Sequence, residues 1–246
     1  MPSNSIETSP QVYARIGGLL YLINIAAGLF GEMFVRNALI VSGDAAATAH
    51  NIVASPSLWR LGIAGDLIMQ ISDVPLMLIL YVLLRPVNRN LALLTILFDV
   101  IQTAVLVVNK VNLITPLLLL GNAGYLKAFA PEQLDALAYL SIALHGYGFG
   151  VGLIFFGCES LVTGFLIARS GYLPRMLGFA MQVAGVCYLT NSFALILAPA
   201  LADAMFPFVL LPPFVAESAF CLWLLVKGVD MTKWNERAGD MRVGAL

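Results

Sequence analysis

Six stretches of this 246-residue chain are long and apolar enough to cross a hydrocarbon core, and that pattern leaves few folds open. A spanning helix needs about 20 predominantly apolar residues. Lipid offers no water to backbone N–H and C=O groups, so such a segment must close its hydrogen bonds within a helix. The stretches run over about 14–35, 58–84, 91–120, 140–168, 176–197 and 205–226. The expected fold is therefore all-α: a polytopic bundle of about six transmembrane helices forming one domain over 14–227, with tails at 1–13 and 228–246. The fourth stretch is the least regular. Pro131-Glu132 marks a helix start, since proline suits the first turn and an acid suits the positive helix end. No stop signal follows before Ala168, so the pattern predicts an interfacial lead-in, a bend among the glycines between Gly146 and Gly152, and a crossing from about Leu140.

Composition agrees with a lipid solvent. Charged residues are 11% and hydrophobic ones 60%, where soluble domains carry about a quarter charged residues. Membrane lipids are the expected partner. A net charge of −1 supplies no basic field for nucleic acid. Orientation follows from lysine and arginine. With the N-terminus inside, Arg15, Arg85, Arg89, Arg169, Arg175, Lys227, Lys233, Arg237 and Arg242 all fall on the cytoplasmic side, against Arg36, Arg60 and Lys127 outside. This predicts an N-in/C-in protein of the inner membrane. The small-residue cluster Ala45-Ala46-Ala47 lies too far past the first apolar run to be a signal cleavage site, so that run reads as a retained helix. Trp59, Trp223 and Trp234 fall near expected interfaces, where tryptophan is favoured.

Chemical motifs are scarce. The three cysteines, Cys158, Cys187 and Cys221, are dispersed within apolar runs and form no C-x-x-C pair, which argues against a disulfide framework or a zinc site. The patterns G-x-x-x-x-G-K-[ST], H-E-x-x-H and G-x-S-x-G are absent. Two histidines, one in a loop, do not supply the usual pair for a membrane haem. The sequence thus points to no catalytic residue, metal site or cofactor, and no feature sets an oligomeric state. Gly146–Gly150 and Gly148–Gly152 have the small-xxx-small spacing of tightly packed helices.

Three stretches carry a likeness to a known family. They are Ala14-Arg15-Ile16-Gly17-Gly18-Leu19-Leu20-Tyr21; Phe155-Phe156-Gly157 on through Gly164 to Arg169-Ser170-Gly171-Tyr172-Leu173-Pro174-Arg175; and Leu177-Gly178 with Ala184-Gly185 and Tyr188. The chain resembles bacterial integral membrane proteins of domain-of-unknown-function family 4386, from about Tyr13 to Val226. The resemblance implies a six-helix membrane protein and carries no activity with it.

Ionisable groups inside the apolar stretches are the strongest functional signal, because a charge at mid-bilayer costs roughly 3 kcal/mol on insertion scales. The second segment carries Asp66, Gln70 and Asp73, whose spacing stacks them on one face. The third carries Asp99, Gln102 and Lys110 close to one face. With the two segments antiparallel, Asp66 and Lys110 share the outer third and can pair, Asp73 and Gln102 lie nearer the middle, and Asp99 lies in the inner third. We expect these six to form one polar patch that binds a ligand or ion, with His145, Glu159 and Glu217 as secondary candidates. Glu32 pairs with Arg36 or Arg60 in this reading. Three carboxylates against one lysine leave excess negative charge, which a proton or small cation would offset. The expected function is a small ion- or proton-coupled transporter. The alternatives are a non-catalytic sensor or assembly protein and a membrane-embedded enzyme on a lipid-like substrate. For the enzyme, His145 and Glu159 stand too far apart on one helix, about 21 Å, to cooperate directly.

Overall fold

Helix-forming apolar runs account for almost the whole of the computed structural model, which describes residues 9–243; residues 1–8 and 244–246 of the expected tails, and the Arg242 side chain, lie outside the described residues. Six helices are long and apolar enough to span a membrane: α1 Pro10–Leu39, α2 Pro56–Leu84, α3 Arg89–Leu119, α4 Pro131–Ser170, α5 Arg175–Leu197 and α6 Phe208–Val226. No strand occurs among the described residues. Each helix packs on the next in sequence, and α6 packs back on α1, so the six close into a ring.

Small residues set how closely the ring draws together. Gly17 faces α2, where a Cβ would meet Ile79, and Gly18 faces α6, where a Cβ would lie 2.7 Å from the Leu225 nitrogen. The tightest seam joins α4 to α5. A Cβ on Gly164 would lie 2.5 Å from the Gly178 carbonyl oxygen, and one on Gly185 would lie 2.7 Å from that of Gly157.

α4 corrects the expected bend. It is one unbroken helix of 40 residues, roughly 60 Å long and twice the thickness of a hydrocarbon core. Its glycines serve close approach instead of bending. Gly148 lies under the Asn109 side chain, Gly150 under Leu195 and Gly152 under Leu106. The overhanging start of α4 is held by the short helix Ala45–Ala54, packed against it, and by the Gly43 N–H, which donates to the Tyr139 hydroxyl at 2.8 Å. Met205, the expected start of the sixth crossing, instead ends a short separate helix, Pro199–Met205.

Two apolar clusters seal the ring. At one end Val35, Leu39, Ile52, Trp59, Ile63, Leu113 and Ile142 pack together. Trp59, expected at an interface, is fully buried there, and its indole donates to the Leu113 carbonyl at 2.7 Å. The opposite end carries the α2–α3 and α4–α5 turns, and a larger cluster there includes Leu83, Leu84, Leu166, Ile167, Tyr172, Leu173 and Leu224. Gly171 ends α4 at φ 79°, a left-handed turn that suits glycine. The turn swings Tyr172 inward, and its hydroxyl donates to the Leu83 carbonyl at the end of α2 at 2.6 Å. A helix end leaves such carbonyls without partners. The C-terminal segment, expected as a plain tail, forms the helix Met231–Val243, and Trp234 donates to the same Leu83 carbonyl at 3.2 Å.

Gly164→Leu should sharply lower folded yield and melting temperature in detergent, since overpacking costs about 1–3 kcal/mol even where the backbone can yield. Gly146→Leu is the control, because nothing lies within 4 Å of a Cβ there and it should behave as wild type.

Candidate functional site

The polar residues between the two seals divide into two layers. The layer nearer the Trp59 seal is charge-balanced. Asp66 of α2 is buried and accepts from two cations, Lys110 Nζ of α3 and Arg36 Nη1 of α1, each at 2.8 Å. Arg36 Nε also contacts Glu32 at 2.7 Å. Two cations thus face two carboxylates. Both cations sit where a helix departs from regularity. Phe30–Arg36 is a π-helical stretch, in which the Asn37 N–H reaches back five residues to the Glu32 carbonyl. Single π turns of this kind are frequent at functional positions. At Lys110 the α3 backbone tightens, its N–H bonding to the Val107 carbonyl three residues back at 3.2 Å. Gly31 makes room for the pair, since a Cβ there would lie 2.6 Å from Asp66 Oδ1 and 3.0 Å from Arg36 Nη2.

His145 belongs to this layer. Its Nε2 lies 3.3 Å from Lys110 Nζ, so beside a charged ammonium it accepts and carries its ring proton on Nδ1. The neighbouring Asn109 donates to the His145 backbone carbonyl at 2.9 Å.

The second layer surrounds a cavity of about 160 Å³, to which all six spanning helices contribute. Four carboxyl groups line it: Asp73 from α2, Asp99 from α3, Glu159 from α4 and Glu217 from α6. At 1.5 Å per residue each lies roughly 13–17 Å in from the end that carries the α2–α3 and α4–α5 turns, near the middle of a core of about 30 Å. Their partners are neutral. Asn24 Nδ2 donates to Asp73 at 3.1 Å and Thr103 Oγ1 donates to it at 2.9 Å. Asp99 lines the same cavity as Asp73. Thr163 and Ser160 donate to Glu159, and the Tyr188 hydroxyl donates to Glu217. No lysine or arginine pairs with these four among the described residues. Three buried acceptors on the lining, Asn24 Oδ1, Gln70 Oε1 and Asp99 Oδ1, have no hydrogen-bond partner. Aromatic rings complete the wall: Phe156 and Tyr188 lie 5.3 Å apart and tilted, and Tyr21 meets Phe220 edge-on at 6.1 Å.

The six residues expected to form one patch are therefore shared between layers. Gln70, Asp73, Asp99 and Gln102 line the cavity, whereas Asp66 and Lys110 form the ion pair above it. Of the secondary candidates, Glu159 and Glu217 reach the cavity and His145 does not. The sequence reading took one lysine as the only cation near the patch. Arg36 is the second, and its position past the end of the first apolar stretch concealed it. Tyr21, Asn24, Thr103, Thr163 and Tyr188 join the site without being among the expected site residues. Asn24 carried a signal, being an amide inside an apolar run; tyrosines and threonines in such runs are too common to single out. Among the described residues no group of three or more His, Cys, Asp or Glu side chains is arranged to hold a metal ion.

Fold and site together define a multi-pass α-helical membrane protein with a polar cavity at the centre of its ring. The chain belongs to the family described as Domain of unknown function (DUF4386), whose model matches residues 16–228. It is also 30% identical over 171 residues to a protein of Archaeoglobus fulgidus described as "Uncharacterized protein", a match covering 70% of this chain and 86% of the relative. No solved structure matches. Several residues that carry the family likeness pack helices, as Gly17, Gly18, Gly157, Gly164, Gly178 and Gly185 do, or latch a turn, as Tyr172 does. Tyr188 is the one that donates to a cavity carboxylate.

Asp66→Asn should strand the buried Lys110 and leave Arg36 with Glu32 alone, destabilising by about 3–5 kcal/mol, the usual consequence of removing one side of a buried ion pair. Lys110→Met should cost less, because Arg36 still faces Asp66. Denaturation of both variants in detergent checks the order; a Lys110 variant less stable than the Asp66 variant would contradict the two-cation arrangement.

Proposed function

We propose that this protein is a small carrier of the inner membrane that moves a proton or small cation through the central cavity, with Asp73 and Asp99 as the coupling pair. One observation carries the reading: four carboxyl groups from four helices share a cavity with no basic side chain bonded to them among the described residues. Ionised carboxylates in a low-dielectric interior need compensation, and like charges close together cannot all stay ionised unaided. A proton or a cation must supply it. When such a cavity opens to water the need falls away, so occupancy changes with access. That coupling is what a carrier uses, and mid-depth sites between helices are where carriers place it. The two apolar seals are the elements that would open in turn.

Reconstituted into liposomes, the purified chain should dissipate an imposed pH gradient or take up cation faster than empty vesicles, and Asp73→Asn should abolish the flux while leaving the melting temperature unchanged or higher. Flux equal to wild type in that variant would remove Asp73 from the role.

The excess of lysine and arginine at the end bearing the α2–α3 and α4–α5 turns supports cytoplasmic termini. Reporter fusions after Asn88 and Ser170 should read cytoplasmic, and fusions near Asp44 and Ala123 periplasmic.

A further inference from the structure

We propose that the central cavity binds a small primary ammonium ion with an alkyl or aryl body, an assignment of cargo class that rests on the carrier reading above. Four features of the cavity converge on that chemistry.

The first is the sign of the unmet hydrogen bonds. Asn24 Oδ1, Gln70 Oε1 and Asp99 Oδ1 are all acceptors, and all belong to lining residues. The side chains of Gln70 and Asp99 are more than nine-tenths buried. The orientation of Asn24 is set by its amide donating to Asp73, which turns its oxygen away from that carboxylate. Among the described residues these three are the fully buried lining atoms without a partner. A ligand that satisfies them brings donors. A primary ammonium offers three N–H donors and no acceptor.

The second feature is charge. Water in the cavity would satisfy the acceptors but would bring nothing to set against four carboxyl groups. An ammonium brings both donors and a positive charge.

The third is the shape of the wall. About half of the lining is apolar or aromatic, including Met69, Leu106, Phe149, Phe156 and Phe220. Inorganic cations such as calcium ask for six to eight oxygen ligands around them. This wall offers oxygen atoms together with hydrocarbon and aromatic surface. An organic ammonium matches both kinds of surface, and aromatic faces attract the cationic end of such ligands. The fourth is size. An apolar protein cavity of about 150 Å³ accepts benzene. A cavity of about 160 Å³ is therefore suited to a body of about six or seven non-hydrogen atoms.

The test uses the full chain in lipid nanodiscs and titration calorimetry with three probes of similar bulk. Cyclohexylammonium carries charge and N–H donors, cyclohexanol matches its shape without charge, and tetramethylammonium is charged without N–H donors. Saturable binding of cyclohexylammonium, at least about tenfold tighter than either other probe, is the expected result. Asp99→Asn should weaken it by about 10- to 100-fold, the range for a charged hydrogen bond. Gln70→Met keeps the volume while removing one acceptor and should weaken it several-fold; its melting temperature reports whether the fold is intact if the Asp99 variant is poorly folded. Equal binding of tetramethylammonium, or unchanged affinity in a folded Gln70→Met, would overturn the assignment. Absence of amine binding alongside a proton or metal-cation flux that Asp73→Asn abolishes would overturn the cargo class and leave the carrier standing. Amine binding with no movement of amine or proton across liposomes would support the binding site and overturn the carrier.

Discussion

Charge compensation in a medium that cannot solvate ions is the constraint on which this structure turns. Isolated charges in a low-dielectric interior cost several kcal/mol each even after relaxation. The protein meets that cost in two ways at two levels. Around Asp66 it uses fixed protein cations, Lys110 and Arg36, both at 2.8 Å. Around the cavity it uses only neutral donors from Asn24, Thr103, Thr163, Ser160 and Tyr188. The first arrangement is complete as it stands. The second leaves four carboxyl groups without a basic partner among the described residues, and that asymmetry separates the two layers.

The helices are shaped around these layers. Regular α-helix serves the glycine-lined seams, where backbones must approach closely. Irregular backbone coincides with the ion pairs, in the π-stretch Phe30–Arg36 and the tightened turn at Lys110. Gly31 has the same logic as Gly164: each lacks a Cβ because something else occupies the space, a guanidinium and carboxylate in one case and a neighbouring backbone in the other. At the opposite end Tyr172 and Trp234 converge on the single Leu83 carbonyl, tying the α4–α5 turn and the C-terminal helix to α2.

Much of the site's membership was legible in the sequence, and most of its grouping was not. Asp66, Gln70, Asp73, Asp99 and Gln102 announce themselves as polar groups in apolar runs, and helical spacing correctly puts the α2 members on one face. Depth along two antiparallel segments was enough to pair Asp66 with Lys110. It was not enough to separate that pair from the cavity, because the separation depends on Arg36 reaching Asp66 from α1. The place of His145 beside Lys110 is likewise set by how α4 lies on α3. The glycines of 146–152 read equally well as a bend or as a packing surface; the side chains of Asn109, Leu106 and Leu195, from two neighbouring helices, make them the latter.

The sequence by itself determined that this chain is a bundle of six apolar helices and that its interior holds more acid than base. Both follow from composition summed along single segments, because lipid penalises unpaired backbone and charge wherever they fall. Only the tertiary structure decided which acids are paired and which are not. Closing α6 onto α1 brings Asn24 and Glu217 to the same cavity as Asp99 and Glu159, residues nearly 200 positions apart at the extremes. That proximity is a property of ring closure and of close approach at glycine seams, and no segment read alone contains it.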